Sequence, residues 1–181
     1  MDAQLNSLNN AVINPILGTL SKHLTLPDLA ELYLLTIAAV SLNRQTSLFH
    51  FESDTYGLFR VTETQHQTLW DEHLVKDPDL ASKVRGLASQ HQFLQSPHQE
   101  LNINLNYATA IAAFALSLLP KSFEVGLSLH QQIALINEVF PGFKGISRRE
   151  WQNANHRLRT QGTQACLLSP AKIGSSVAEC A

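Results

Sequence analysis

The sequence predicts an all-α protein, and three observations carry that reading. Apolar residues recur at helical spacing over most of the 181 residues. Helix-start signals stand in front of the periodic stretches. Only one stretch, Thr46 to Val61, resists the pattern. We expect an N-terminal helical segment at 1–24, a helical domain at 25–160 and a flexible tail at 161–181.

Each element has its own justification. Residues up to Leu24 read as helix with a break at Pro15, whose missing N–H removes one hydrogen bond. "LPDLAELYLLTIAAVSL" offers Thr25 as cap and Pro27 in the first turn, then is apolar on almost every face. That is the pattern of a buried central helix. "TETQHQTLWDEHLV" starts behind Thr62 or Thr64 and puts Leu69, Trp70, Leu74 and Val75 on one side. "DPDLASKVRGLASQHQFL" has Asp77 as cap and Pro78 at the first helical position.

"SPHQELNINLNYATAIAAFALSLL" repeats the Ser-Pro opening and reads as one long helix stopped by Pro120. "LSLHQQIALINEVF" follows Gly126 and ends at Pro141-Gly142. "ISRREWQNANHRLR" begins with a capping box from Ser147 to Glu150.

Composition narrows the function classes. A hydrophobic fraction of 44% with 15% charged residues is that of a globular chain. A net charge of −2 disfavours nucleic-acid binding, which needs an excess of Lys and Arg. The N-terminus lacks the basic start and apolar run of a signal peptide. The longest apolar run, Leu32 to Val40, is about half of the ~20 residues a bilayer needs, so no membrane span is expected. Cys166 and Cys180 both fall in the last stretch and read as two free thiols, with a small disulfide loop as the alternative.

The irregular segment is where the chain would build a cleft. Here "TIAAVSLNRQTSLFHFESDTYGLFRVT" resembles the opening motif of the lysozyme-like superfamily, in particular soluble lytic transglycosylases and phage lysins. "YGLFRVT" stands for the Gly-Leu-Met-Gln-Ile-like signature, and "NLNYATAIA" resembles the later Asn-containing helix beside the cleft. The likeness spans Leu29 to Leu119. It implies a lysozyme-like helical domain with one irregular or short β cleft-forming segment. It also implies a peptidoglycan-type glycan as ligand, bound along Ser41, Tyr56, Gly57, Leu58, Phe59 and Arg60, with Asn104 holding the loop. Gly57 would let the sugar approach the backbone closely.

Three departures bear on chemistry. Ser41 stands where the family has its catalytic Glu, Arg60 replaces the usual Gln, and Asn137 lacks the accompanying Tyr. A lytic transglycosylase needs a carboxylic acid tuned toward neutrality by an apolar setting, and a serine hydroxyl cannot supply that proton. Glu52 is the candidate acid, since burial against Phe49, Phe51 and Tyr56 would raise its pKa; the alternative is a structural or sugar-binding role. Asp54 would be the second carboxylate of a hydrolytic pair. The expected activity, where cleavage occurs, is that of a transglycosylase or muramidase-type glycosidase.

An adaptor that keeps the scaffold for protein–protein contact is the alternative class, and a helical regulatory domain using the basic "SRREWQNANHRLR" helix is a third. Trp151 is expected to face inward and the arginines outward. The pairs His66/His73 and His91/His98 lie two turns apart and read as surface histidines, so no metal or cofactor site is expected. Absence of a leader would fit a phage-borne protein or one delivered to the envelope by a secretion apparatus.

Overall fold

The computed structural model describes residues 2–44, 54–119, 128–143 and 145–168; for residue 2 and residues 159–168 only the backbone is described. Those residues are mostly helical. Their only sheet is an antiparallel pair, β1 (Thr55–Tyr56) and β2 (Val61–Thr62), with Thr55 opposite Thr62 and Tyr56 opposite Val61. Among them no helix is long and apolar enough to cross a membrane.

The first segment is helical throughout: α1 (Asp2–Leu8), a widened π-helical turn (Asn9–Ile13), then α2 (Asn14–Leu20). The irregularity sits just before Pro15 rather than at it. The wider turn absorbs the missing proline donor and lets the helix run on. Leu5, Ile13, Ile16 and Leu20 line its buried face.

The central helix is α3 (Ala30–Arg44), buried from Tyr33 to Ser41. It starts later than Thr25 and Pro27 suggest. Pro27 instead closes a turn whose carbonyl accepts from the Ala30 N–H at 3.0 Å.

Thr62 caps α4 (Glu63–Thr68) by accepting from the Gln65 N–H at 3.1 Å. A π-helical turn (Leu69–His73) and a 3₁₀ turn (Leu74–Lys76) continue it. Leu69 and Leu74 are buried, but Val75 is 64% exposed because the tightened turn rotates it off the apolar face.

Asp77 caps α5 (Pro78–Leu87) with Pro78 in its first turn, and Ser89 opens a separate α6 (Gln90–Gln95). The long helix expected after Ser96 is broken too. A 3₁₀ turn (Pro97–Gln99) and α7 (Glu100–Ile103) end at Asn104, whose extended backbone (φ −125°) starts α8 (Leu105–Ser117).

Tyr107 to Leu116 of α8 are all buried, so α3 and α8 form the two apolar rods of the core. α9 (Leu129–Val139) carries a capping box between Ser128 and Gln131. After the 3₁₀ turn at Pro141–Phe143, α10 (Arg148–Leu168) opens on the Ser147–Glu150 box and packs on α3. Trp151 is 1% exposed and stacks with Tyr33, while Arg148, Arg149 and Arg157 face outward. The helix continues through residue 161, where a tail was expected to begin, and its backbone runs to Leu168. The Cys166 side chain and Cys180 lie outside the described residues.

Candidate functional site

Residues 57–60, Gly-Leu-Phe-Arg, form the loop of the β1–β2 hairpin, with Tyr56 at the end of β1. Gly57 (φ +70°) and Arg60 (φ +48°) both take left-handed backbone, and the Arg60 N–H reaches the Gly57 carbonyl at 3.1 Å. The loop is clamped from two sides. On one, the Gly57 N–H donates to Asn102 Oδ1 at 2.6 Å, and a Cβ at 57 would collide with the Leu101 carbonyl. On the other, a Cβ at Gly142 would collide with the Arg60 carbonyl. The Arg60 guanidinium lies 5.9 Å from the Phe143 ring centre. Both glycines are used for close backbone packing.

A string of polar side chains runs inward beside this hairpin. Glu63 Oε1 lies 3.5 Å from His98 Nε2, and His98 Nδ1 lies 2.9 Å from His66 Nδ1. His66 Nε2 is 2.6 Å from the Tyr107 hydroxyl, which also accepts from the Trp70 indole N–H at 2.9 Å. The carboxylate end sets the proton order. A carboxylate only accepts, so with both rings neutral a His98 that turns its Nε2–H toward Glu63 has a bare Nδ1, to which His66 donates while its own Nε2 accepts from Tyr107. The string runs from an exposed carboxylate to a phenol with no exposure at all.

Burial sets the electrostatics. His66, 1% exposed, has its pKa lowered to about 4, first by burial and then by His98. Burial also raises Tyr107 well above the usual phenol value. At the outer end Tyr56 is half-buried, its hydroxyl 3.4 Å from Glu63 Oε2 and its ring 5.7 Å from His98. Its pKa is raised by burial and then by Glu63, with Asp54 adding to the effect.

Sequence reasoning placed the site residues unevenly. Tyr56 and Leu58 are half-buried at the hairpin surface, with part of each side chain open to a ligand. Phe59 is not: it is 0% exposed and packs into the core beside Val61, because the bend turns alternate residues inward. Gly57 is approached by the Leu101 backbone, which occupies the space reserved for a sugar. Arg60 is 6% exposed. Ser41 is fully buried, and its hydroxyl finds no hydrogen-bond partner among the described residues. A trench running between Ser41 and Phe59 therefore has neither end at the surface. Glu52, with Phe49 and Phe51, lies outside the described residues.

Asn104 does not hold the loop. Its side chain accepts from the Tyr107 N–H at 3.1 Å and donates to the Leu87 carbonyl at 2.8 Å and to Glu100 Oε2 at 3.1 Å. Asn102 does the holding, two residues earlier and before the helix break. His66 and His98 are not surface groups two turns from their sequence partners; they meet each other. His66 precedes Leu69 and Trp70 by three and four positions, which places it on the buried face of α4 and was the available signal. Glu100 was also missed: it is fully buried, and its Oε1 has no partner among the described residues.

Three cavities lie elsewhere than residues 56–60. One of about 550 Å³ lies between α3, α9 and α10, and another of about 450 Å³ is lined by the Thr64–Thr68 side of α4 with Ala115 and Val139. Comparison of the chain with protein-family models, characterised proteins and solved structures finds no match.

Proposed function

We propose that this chain is a glycan-binding domain of the lysozyme-like, lytic-transglycosylase type that engages a peptidoglycan-type polysaccharide without the ordinary cleavage step. One observation carries the reading. The hairpin is clamped by Gly57 and Asn102 so that a half-exposed Tyr56 is presented together with Glu63 and His98. An aromatic face beside a carboxylate and an imidazole offers a sugar both an apolar platform and hydrogen-bonding groups. The order of parts also supports it: a buried helix, a glycine-hinged hairpin, then an Asn-bearing segment that grips the hairpin backbone.

Ser41 supports binding over cleavage. It is enclosed and has no carboxyl to lend, and Glu100, the fully buried carboxylate, has no surface to reach a ligand. Incubation with purified cell walls tests the reading. The protein is expected to sediment with them and release no anhydro-muropeptides, and Tyr56→Ala is expected to reduce sedimentation. Release that Glu52→Gln abolishes would replace the binding reading with a catalytic one.

A protein adaptor is the second reading. It is favoured by the use of Gly57 and Phe59 for interior packing and by Ile103 and Leu105, exposed on either side of Asn104. Absence of both sedimentation and release would favour it.

A further inference from the structure

His98 is the outer ring of the imidazole pair: its side chain is 19% exposed, whereas His66 is buried. An acid proton is therefore taken up by His98, whose Nδ1 is bare, while burial keeps His66 neutral. Charged His98 carries a hydrogen on both nitrogens, and its Nδ1–H then faces His66 Nδ1 across 2.9 Å. Two N–H groups cannot share that gap, so His66 must carry its own hydrogen on Nε2 instead. There it points at the Tyr107 oxygen, 2.6 Å away, which already accepts from the Trp70 indole at 2.9 Å. Tyr107 changes from donor to acceptor toward His66, and its hydroxyl hydrogen needs a new partner.

Glu100 on α7 is the group suited to take it. It is fully buried, its Oε1 has no hydrogen-bond partner among the described residues, and its charge acts on the Tyr107 hydroxyl. An unpaired buried acceptor is costly, and the reversed string gives it a donor. Arg85 on α5 also acts on Tyr107, but a guanidinium only donates. At the outer end the Glu63 carboxylate stands between two donors, 3.5 Å from His98 Nε2 and 3.4 Å from the Tyr56 hydroxyl. A charge on His98 turns the first contact into an ion pair and draws the carboxylate away from Tyr56.

We propose that Glu63, His98, His66, Tyr107 and Glu100 form a pH-sensitive switch: a proton on His98 reverses the His98–His66 and His66–Tyr107 hydrogen bonds and releases the Tyr56 hydroxyl at the surface. The count is one proton gained, by His98. His66 exchanges its single hydrogen with solvent during local opening, and Tyr107 only rotates its own. The titratable and charged groups facing the two rings are Glu63 from α4, Tyr56 from β1 and Tyr107 from α8, with Glu100 and Arg85 acting on Tyr107. The switch is a property of the string whatever the Tyr56 face binds, so it does not rest on the glycan reading.

The test is imidazole NMR of the full ¹⁵N-labelled chain, titrated from about pH 8 to about pH 5 across the ordinary histidine range. At the alkaline end His66 is expected as the Nδ1–H tautomer and His98 as Nε2–H. As His98 gains its charge, His66 should become Nε2–H while staying neutral, with the same midpoint. The Trp70 indole N–H, told from that of Trp151 by Trp70→Phe, should shift at that midpoint as well. His98→Arg, a fixed cation at a partly exposed position, should hold His66 as Nε2–H at the alkaline end without acid. Glu100→Leu removes the inner acceptor and should lower the His98 midpoint by about one pH unit, the roughly tenfold worth of one hydrogen bond. The proposal is overturned if His66 keeps its Nδ1 hydrogen while His98 charges, or already carries it on Nε2 at the alkaline end. It is overturned too if Trp70 does not respond, or if His98→Arg leaves the His66 tautomer unchanged.

Discussion

The Nδ1 atoms of His66 and His98 lie 2.9 Å apart, although the residues are 32 positions apart and belong to different turns of the chain. Only one of the two nitrogens can carry the shared proton while both rings are neutral. With His98 turning its Nε2–H toward the Glu63 carboxylate, that proton sits on His66. A further proton on His66 puts a positive charge on a buried ring beside His98, which burial first and that neighbour second disfavour. The groups facing the pair are Glu63 and Tyr56 outside, Tyr107 and Trp70 inside, with Glu100 and Arg85 acting on Tyr107 from further away.

This makes stability fall with acid. His66 titrates near 6.5 when unfolded and near 4 when folded, so below 6.5 the unfolded chain binds the extra proton first. Stability is complete above pH 6.5 and declines as pH drops toward 4, by up to roughly 3 kcal/mol from this group. Urea unfolding at stepped pH should show the decline. In His66→Gln the curve should be lower at pH 7 but flatter between 6.5 and 4; parallel curves would contradict the assignment.

Tyr107 joins two helices through one oxygen. Tyr107→Phe leaves both the Trp70 indole N–H and His66 Nε2 without that partner, at a cost of about 2–4 kcal/mol for two buried polar groups. Chemical denaturation measures it. Trp70→Phe, which releases Tyr107 from one bond only, should cost less.

Two glycines should respond in opposite directions to the same substitution. Gly57→Ala forces a left-handed residue into the Leu101 carbonyl and should cost on the order of 3 kcal/mol or more. Gly18→Ala, in α2 with nothing in the way of a Cβ, should gain roughly 0.5–1 kcal/mol. Thermal or urea unfolding of the two variants decides whether close packing of the hairpin on α7 is the constraint.

Glu150 closes its own helix and ties it to α3. Its carboxylate accepts from Arg44 at 2.7 and 2.9 Å and from the Ser147 hydroxyl and N–H. Its pKa is lowered to about 2, mainly by Arg44. The stabilisation is present above pH 4.5 and is lost as pH falls toward 2, a window below that of His66. Glu150→Gln should cost roughly 1 kcal/mol at neutral pH and remove the acid limb below 4.5, read by unfolding at low pH.

What the sequence disclosed follows from the range of the forces involved. Caps are local, so Thr62, Asp77 and Ser147 could be read from a few neighbours. The buried character of α3 was equally legible, because apolar residues surround its axis. The break at Asn104 was not: its side chain prefers Leu87 and Glu100, which only the folded chain brings near, to continuing a helix. The same limit hid the Gly57–Asn102 joint and the His66–His98 contact, each made across more than 30 residues. Val75 was misplaced because a tightened turn changes the period that a uniform helix would keep.

The most direct measurement of the central claim is sedimentation of the intact protein with purified peptidoglycan, comparing wild type, Tyr56→Ala and the surface control Gln92→Ala. The account predicts that wild type and the control pellet with the wall while Tyr56→Ala stays largely in solution. Equal recovery of all three in the supernatant would contradict it.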